Sequence, residues 1–153
     1  MWGELHESKD IFVSLPEMID AGKANRIFRE LGATLHYDVY SFEAEKSENW
    51  QSESILYIEL RAKGKEVDAQ EDFDEIHISY HLATRPSSDQ TLALEKISKI
   101  IKGFSGDASY QGKKFNPDDV QNDWDSCNNY LLKEWGEEPG SSELRRMIEE
   151  NYA

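Results

Sequence analysis

The sequence predicts an α+β fold, with one antiparallel sheet, two helices on one of its faces and a C-terminal helical extension. Three observations predict it. Segments 33–44, 54–62 and 75–83 alternate apolar and polar residues with a period of two, the mark of strands with one buried and one wet face. Segments 16–32 and 87–103 instead repeat apolar residues at three-and-four spacing, as amphipathic helices do. The resulting order, β-α-β-β-β-α-β-α-α, suits a ferredoxin-like core or a related two-layer sandwich with an extra strand. The chain, 1–153, reads as a single domain, with 115–153 as its helical extension.

The elements follow in order. "DIFVSLP" (10–16) has the composition of a short strand. "PEMIDAGKANRIFRELG" (16–32) is a helix with Pro16 at its start, a stripe of Ala21, Ala24, Ile27, Phe28 and Leu31, and Gly32 as a left-handed cap. In 33–44, Leu35, Tyr37 and Val39 are expected inside, and His36, Asp38 and Tyr40 outside. In 54–62 the inner set is Leu56, Ile58 and Leu60, against Tyr57, Glu59 and Arg61. In 75–83 it is Ile76, Ile78, Tyr80 and Leu82, against His77, Ser79 and His81. The connections "EKSENWQSE" and "KGKEVDAQEDFD" are polar and long enough to project from the sheet.

"SSDQTLALEKISKIIKG" (87–103) has Ser87 and Gln90 at capping-box spacing and a stripe of Leu94, Ile97 and Ile101. "DASYQGKKF" (107–115) reads as an edge strand blunted by Gly112 and two lysines. Asn116 then caps a helix with Pro117 in its first position and Asp118 and Asp119 at the positive end of its dipole. Val120, Trp124, Cys127, Leu131 and Trp135 share one face of it, "EEPG" breaks the chain, and Leu144 and Ile148 anchor a short terminal helix.

Charge is the strongest global signal. Asp and Glu number 31 against 17 Lys and Arg, for a net −14. Such a surface repels nucleic acid and anionic membranes and attracts basic partners, besides keeping a protein in solution. The charge is polarised. Segment 41–75 holds eleven acids and four bases, segment 116–153 ten acids and three bases, and the remainder is neutral. There is no apolar run long enough to span a bilayer and no signal-peptide pattern, so a cytoplasmic protein is expected. Cys127 is the only cysteine, which excludes an intramolecular disulfide, and its place on an apolar helix face reads as structural.

A few constellations could carry chemistry. His36, His77 and His81 fall on the wet face with Asp38 and Glu59, which raises a metal site. Residues i and i+4 on a strand are about 13 Å apart, so His77 and His81 cannot share one ion. The acidic run Glu66, Asp68, Glu71, Asp72, Asp74 and Glu75 lacks the spacing and glycine of a calcium loop. No nucleophile elbow, phosphate loop, dinucleotide fingerprint or zinc-protease motif is present. The expectation is no catalytic residue, no metal and no cofactor. Aromatics set among acids instead compose a docking surface for a basic protein. The residues expected to form it are Trp50, Tyr40, Tyr57 and His77, the six acids of 66–75, and Asp118, Asp119, Asp123 and Asp125.

In size, in acidic segments such as "EVDAQEDFDE" and "NPDDVQNDWD", and in lacking catalytic motifs, the chain resembles the immunity proteins of bacterial polymorphic-toxin and contact-dependent-inhibition systems. That resemblance implies a small cytosolic α/β protein that caps a basic toxin, often a nuclease, and it carries over no individual residue. The alternatives are a ferredoxin-like small-ligand regulatory domain, a secretion chaperone or nucleic-acid mimic, and an enzyme using the histidines and carboxylates of the sheet face.

Overall fold

The computed structural model of the chain describes residues 8–37, 39–43, 54–81, 87–138 and 140–152. Its strands are β1 (Ser8–Ile19), β2 (Thr34–His36), β3 (Val39–Glu43), β4 (Ser54–Ala62), β5 (Lys65–Val67), β6 (Phe73–His81), β7 (Asp107–Tyr110) and β8 (Lys113–Lys114). Its helices are α1 (Ala21–Glu30), α2 (Ser87–Gly103), α3 (Pro117–Tyr130) and α4 (Ser142–Tyr152), with a π turn at Leu131–Trp135 between the last two. All strands join one sheet in the order β2-β3-β4-β6-β1-β7-β8, and β5 adds to the edge of β4. Every pairing is antiparallel. The α+β class holds, with a sheet larger than the expected two-helix sandwich requires.

The extra size comes from tight hairpins where the sequence reads as single strands or plain loops. Segment 33–44 divides into β2 and β3 around Tyr37, whose φ is 55°, with His36 opposite Val39. Segment 107–115 divides into β7 and β8 around Gln111 and Gly112, both at positive φ. Lys63 and Gly64 make the same turn between β4 and β5, so the start of the acidic connection is a strand. Right-handed strand twist favours two-residue turns of this hand.

Inner residues align across the strands. Ile58, Ile78, Ile11 and Tyr110 form one row, and Leu60, Ile76, Val13 and Ala108 the next. All are buried and meet α1, α2 and α3 on this face. Phe28 of α1 stacks on Tyr40 and meets Phe104 beyond the end of α2, which also touches Phe73. Trp124 of α3 packs on Tyr80 at a centroid distance of 4.8 Å. Gln90 of α2 and Asn128 of α3 exchange two hydrogen bonds, at 3.3 and 3.1 Å.

The first helix starts later than expected. β1 runs on through Pro16 to Ile19, which pairs with Phe73 beyond a register shift after Ser14. Asp20, rather than Pro16, marks the helix start, its carboxylate accepting the Lys23 N–H at 2.9 Å. Pro16 falls in the irregular stretch, where a missing N–H costs no ladder bond. The expected cap of α3 is present, with the Asn116 side chain accepting the Asp118 N–H at 3.0 Å. Among the described residues no helix is long and apolar enough to cross a membrane.

Candidate functional site on the open sheet face

With α1, α2 and α3 on one face, the other presents three rows of cross-strand neighbours. Ser41, Tyr57, Ser79 and Asp10 form the first row. Glu59, His77, Phe12, Ser109 and Lys114 form the second. Glu66, Arg61, Glu75, Ser14 and Asp107 form the third. Directly opposed side chains on one face touch, so each row is a continuous strip. Phe12 is 41% exposed and Tyr57 46%, amid five carboxylates and two bases.

His77 is the hub. Its Nε2 lies 2.8 Å from Asp10 Oδ1 and its Nδ1 3.2 Å from Glu59 Oε2. Ionised carboxylates only accept hydrogen bonds, so each of these contacts is made by an N–H on the ring nitrogen that faces it. Phe12 covers one face of the ring, with centroids 4.6 Å apart. Arg61 bonds Glu59 at 3.1 Å and reaches Glu75 at 3.7 Å, extending the chain of charges across three strands.

Ser79 Oγ lies 3.4 Å from His77 Nε2, while Glu59 occupies Nδ1, the sequence of contacts in a nucleophile, base and orienting-acid set. Asp10 breaks that set. The Ser79 hydroxyl donates to Asp10 at 3.0 Å, and Asp10 also holds Nε2. The imidazole is thereby engaged by acids on both sides and is poorly placed to take the serine proton. Among the described residues no group of three or more His, Cys, Asp or Glu could hold a metal ion. His36 lies on β2, three strands from His77, or about 14 Å at ~4.8 Å per strand. Asp38, the His81 side chain and the whole of Trp50 lie outside the described residues.

Tyr40 corrects an expectation. It is only 1% exposed, on the inner face, where it stacks on Phe28. The Tyr37 turn pairs Leu35 with Tyr40, so Tyr40 and Phe42 point inward while Val39 and Ser41 take the open face. Burial raises the Tyr40 hydroxyl above its ordinary pKa, against the opposing influence of Arg29 and Asn25. Among the described residues its Oη has no partner in hydrogen-bonding geometry.

The acidic run is also more tied down than a projecting loop. Ala69 and Phe73 within it are buried. Asp68 accepts the Gln70 N–H at 2.8 Å and Asp74 the Lys63 N–H at 3.3 Å. Glu75 points to Arg61, whereas Glu66, Glu71 and Asp72 are exposed. β3 pairs with β4 at 54–57 and β5 pairs with it at 60–62, leaving a gap at Ile58 and Glu59 along that edge. A cavity of about 280 Å³ fills the gap. Val39, Ile58, Leu60 and Val67 supply its apolar lining, and Glu59, Glu66, Asp68 and Glu71 its carboxylates.

The acids of α3 are not brought to this face, because the sheet lies between. Asp118 and Asp119 are exposed at the helix start, and Asp125 accepts from Gln121 at 3.0 Å. Asp123 ends a hydrogen-bonded chain that reaches into the core. Tyr80 donates to Tyr110 at 2.7 Å, and Tyr110 donates to Asp123 at 2.5 Å. Burial is the main cause that lifts both tyrosines well above the ordinary value. Cys127 is buried in the same helix and its thiol is pushed up to about 11 by burial.

Asp10, Phe12, Arg61 and Ser79 belong to the open-face site and were not singled out from the sequence. Phe12 carried a signal: in the run Ile11-Phe12-Val13 a strand must turn one apolar residue or two to solvent. Asp10 carried none, since its contact with His77 spans 67 positions.

No protein-family model matches the chain, and no curated protein matches its sequence at a significant level.

Proposed function

We propose that this chain is an acidic binding protein that neutralises a basic protein partner, acting as an immunity protein against a toxin such as a nuclease. One observation carries the reading: the open sheet face sets exposed Phe12 and Tyr57 among five carboxylates. Aromatics at the centre of a charged surface are the composition of binding hot spots. Net charge of −14 speeds encounter with a cationic partner and discourages nucleic acid. The immunity assignment itself rests on the sequence resemblance. A ferredoxin-like small-ligand regulatory domain is the second reading, supported by the antiparallel order β4-β6-β1-β7 with α1 after β1 and α2 between β6 and β7, the strand order of two interleaved split βαβ units.

The test is affinity capture from the source cell with the wild-type chain and a Phe12→Ser/Tyr57→Ser variant. The expected catch is a basic protein, bound by the wild type with an association rate that falls as salt rises. The variant should bind it at least about 30-fold more weakly. Capture of only acidic or neutral proteins, or equal capture by the variant, would defeat the reading.

A further inference from the structure

We infer that the gap between β3 and β5 is a seat for one arginine side chain of the basic partner. This deepens the proposed function and rests on it. The gap opens beside the open face: Glu59 lines it, and Tyr57 lies two residues away on the same strand and the same face. Its volume of about 280 Å³ sits just below the usual range for small-molecule pockets, ~300–1,000 Å³, and suits a single side chain.

Three features select arginine. Glu66, Asp68 and Glu71 line the gap with no Lys or Arg among its described lining residues, so a cation is wanted. Val39, Ile58 and Val67 offer apolar surface for the methylene stem of a long cationic side chain. Ile58 and Glu59 have neither β3 nor β5 as a ladder partner among the described residues, and in an antiparallel strand one of the two turns its N–H and C=O to this edge rather than to β6. A guanidinium brings five donors in a planar fork and can engage several such acceptors together. A lysine ammonium brings three donors from a single point.

The test is an NMR titration of the full chain with N-acetyl-arginine amide as probe. Saturable shifts are expected at the backbone amides of Val39, Ile58, Glu59 and Val67, and N-acetyl-lysine amide should bind more weakly. Glu66→Gln/Glu71→Gln, at two exposed positions that the fold tolerates, should weaken the probe by about fivefold or more. Asp118→Asn/Asp125→Asn on α3 should leave it unchanged. Non-saturating shifts spread over α3 as well as the gap, or an equal response to the lysine probe, would overturn the inference. So would a captured basic partner whose affinity ignores the Glu66/Glu71 substitutions, although the proposed function would survive. Saturable arginine binding with no basic protein ever captured would instead remove the function and leave a guanidinium site.

Discussion

Phe12 lies flat on the imidazole of His77, with ring centroids 4.6 Å apart and planes 11° from parallel. The two residues are direct cross-strand partners on β1 and β6, at the middle of the open face. The stack orients a histidine already held from both sides by Asp10 and Glu59. It also leaves Phe12 41% exposed, a poor use of an aromatic residue for folding alone.

Phe12 should therefore matter little to stability. Phe12→Ala is expected to cost under about 1 kcal/mol, the scale of a cross-strand pair. Phe28→Ala, at a position with no exposure, should cost about 3–5 kcal/mol. Urea unfolding of both variants checks the contrast, and similar losses would show that Phe12 is a core residue.

Gly106, just ahead of β7, is fixed by close approach. A Cβ there would lie 2.2 Å from Val13 Cγ1. Gly106→Ala should cost about 1–3 kcal/mol through overpacking. Combining it with Val13→Ala should cost less than the sum of the single changes, because the second removes the clashing methyl. Additive losses in a double-mutant cycle would locate the strain elsewhere.

The Tyr80–Tyr110–Asp123 chain predicts an alkaline limit to stability. Both hydroxyls are held above the ordinary value of 10.0, chiefly by burial. Below pH 9 the tyrosines are protonated in the folded and unfolded chains alike, and their contribution is intact. Above about pH 10 the unfolded chain releases these protons while the folded chain retains them. Stability then falls as pH rises, by up to ~1.4 kcal/mol per pH unit for each tyrosine. Thermal melts from pH 8 to 11 should show a shallower decline for Tyr80→Phe/Tyr110→Phe than for wild type. Equal slopes would assign the decline to other groups.

Cys127 should be inert in the native state. A thiol pushed up to about 11 exposes roughly two orders of magnitude less thiolate at pH 8 than an ordinary cysteine, and the side chain is buried as well. Iodoacetamide labelling followed by mass spectrometry should show slow native modification that becomes fast in denaturant. Fast native labelling would contradict the packing of α3.

The parts of the fold legible in the sequence are those fixed within one element. The alternation in β4 places Leu56, Ile58 and Leu60 inside, as found. The Asn116 cap and the buried stripe Val120, Trp124 and Cys127 of α3 depend only on neighbours one or two turns away. Turns of two residues were not legible where Tyr37 and Gln111 adopt positive φ, a conformation that side chains other than Gly, Asn and Asp seldom signal. Missing the Tyr37 turn reversed the face assigned to Tyr40. Among candidate site residues, Tyr57 and His77 reached the open face, whereas Asp123 became a buried-network acceptor.

By itself, then, the sequence determined the α+β class, the polarised negative charge and the amphipathic helices α1 and α2, because periodicity, capping and composition are local. Tertiary structure alone decided what stands on the other face. Asp10, Phe12, Glu59 and His77 come from three strands that only register brings together. It also decided that β3 and β5 would share one edge of β4 and leave a carboxylate-lined gap between them, since strand order is a property of the whole sheet.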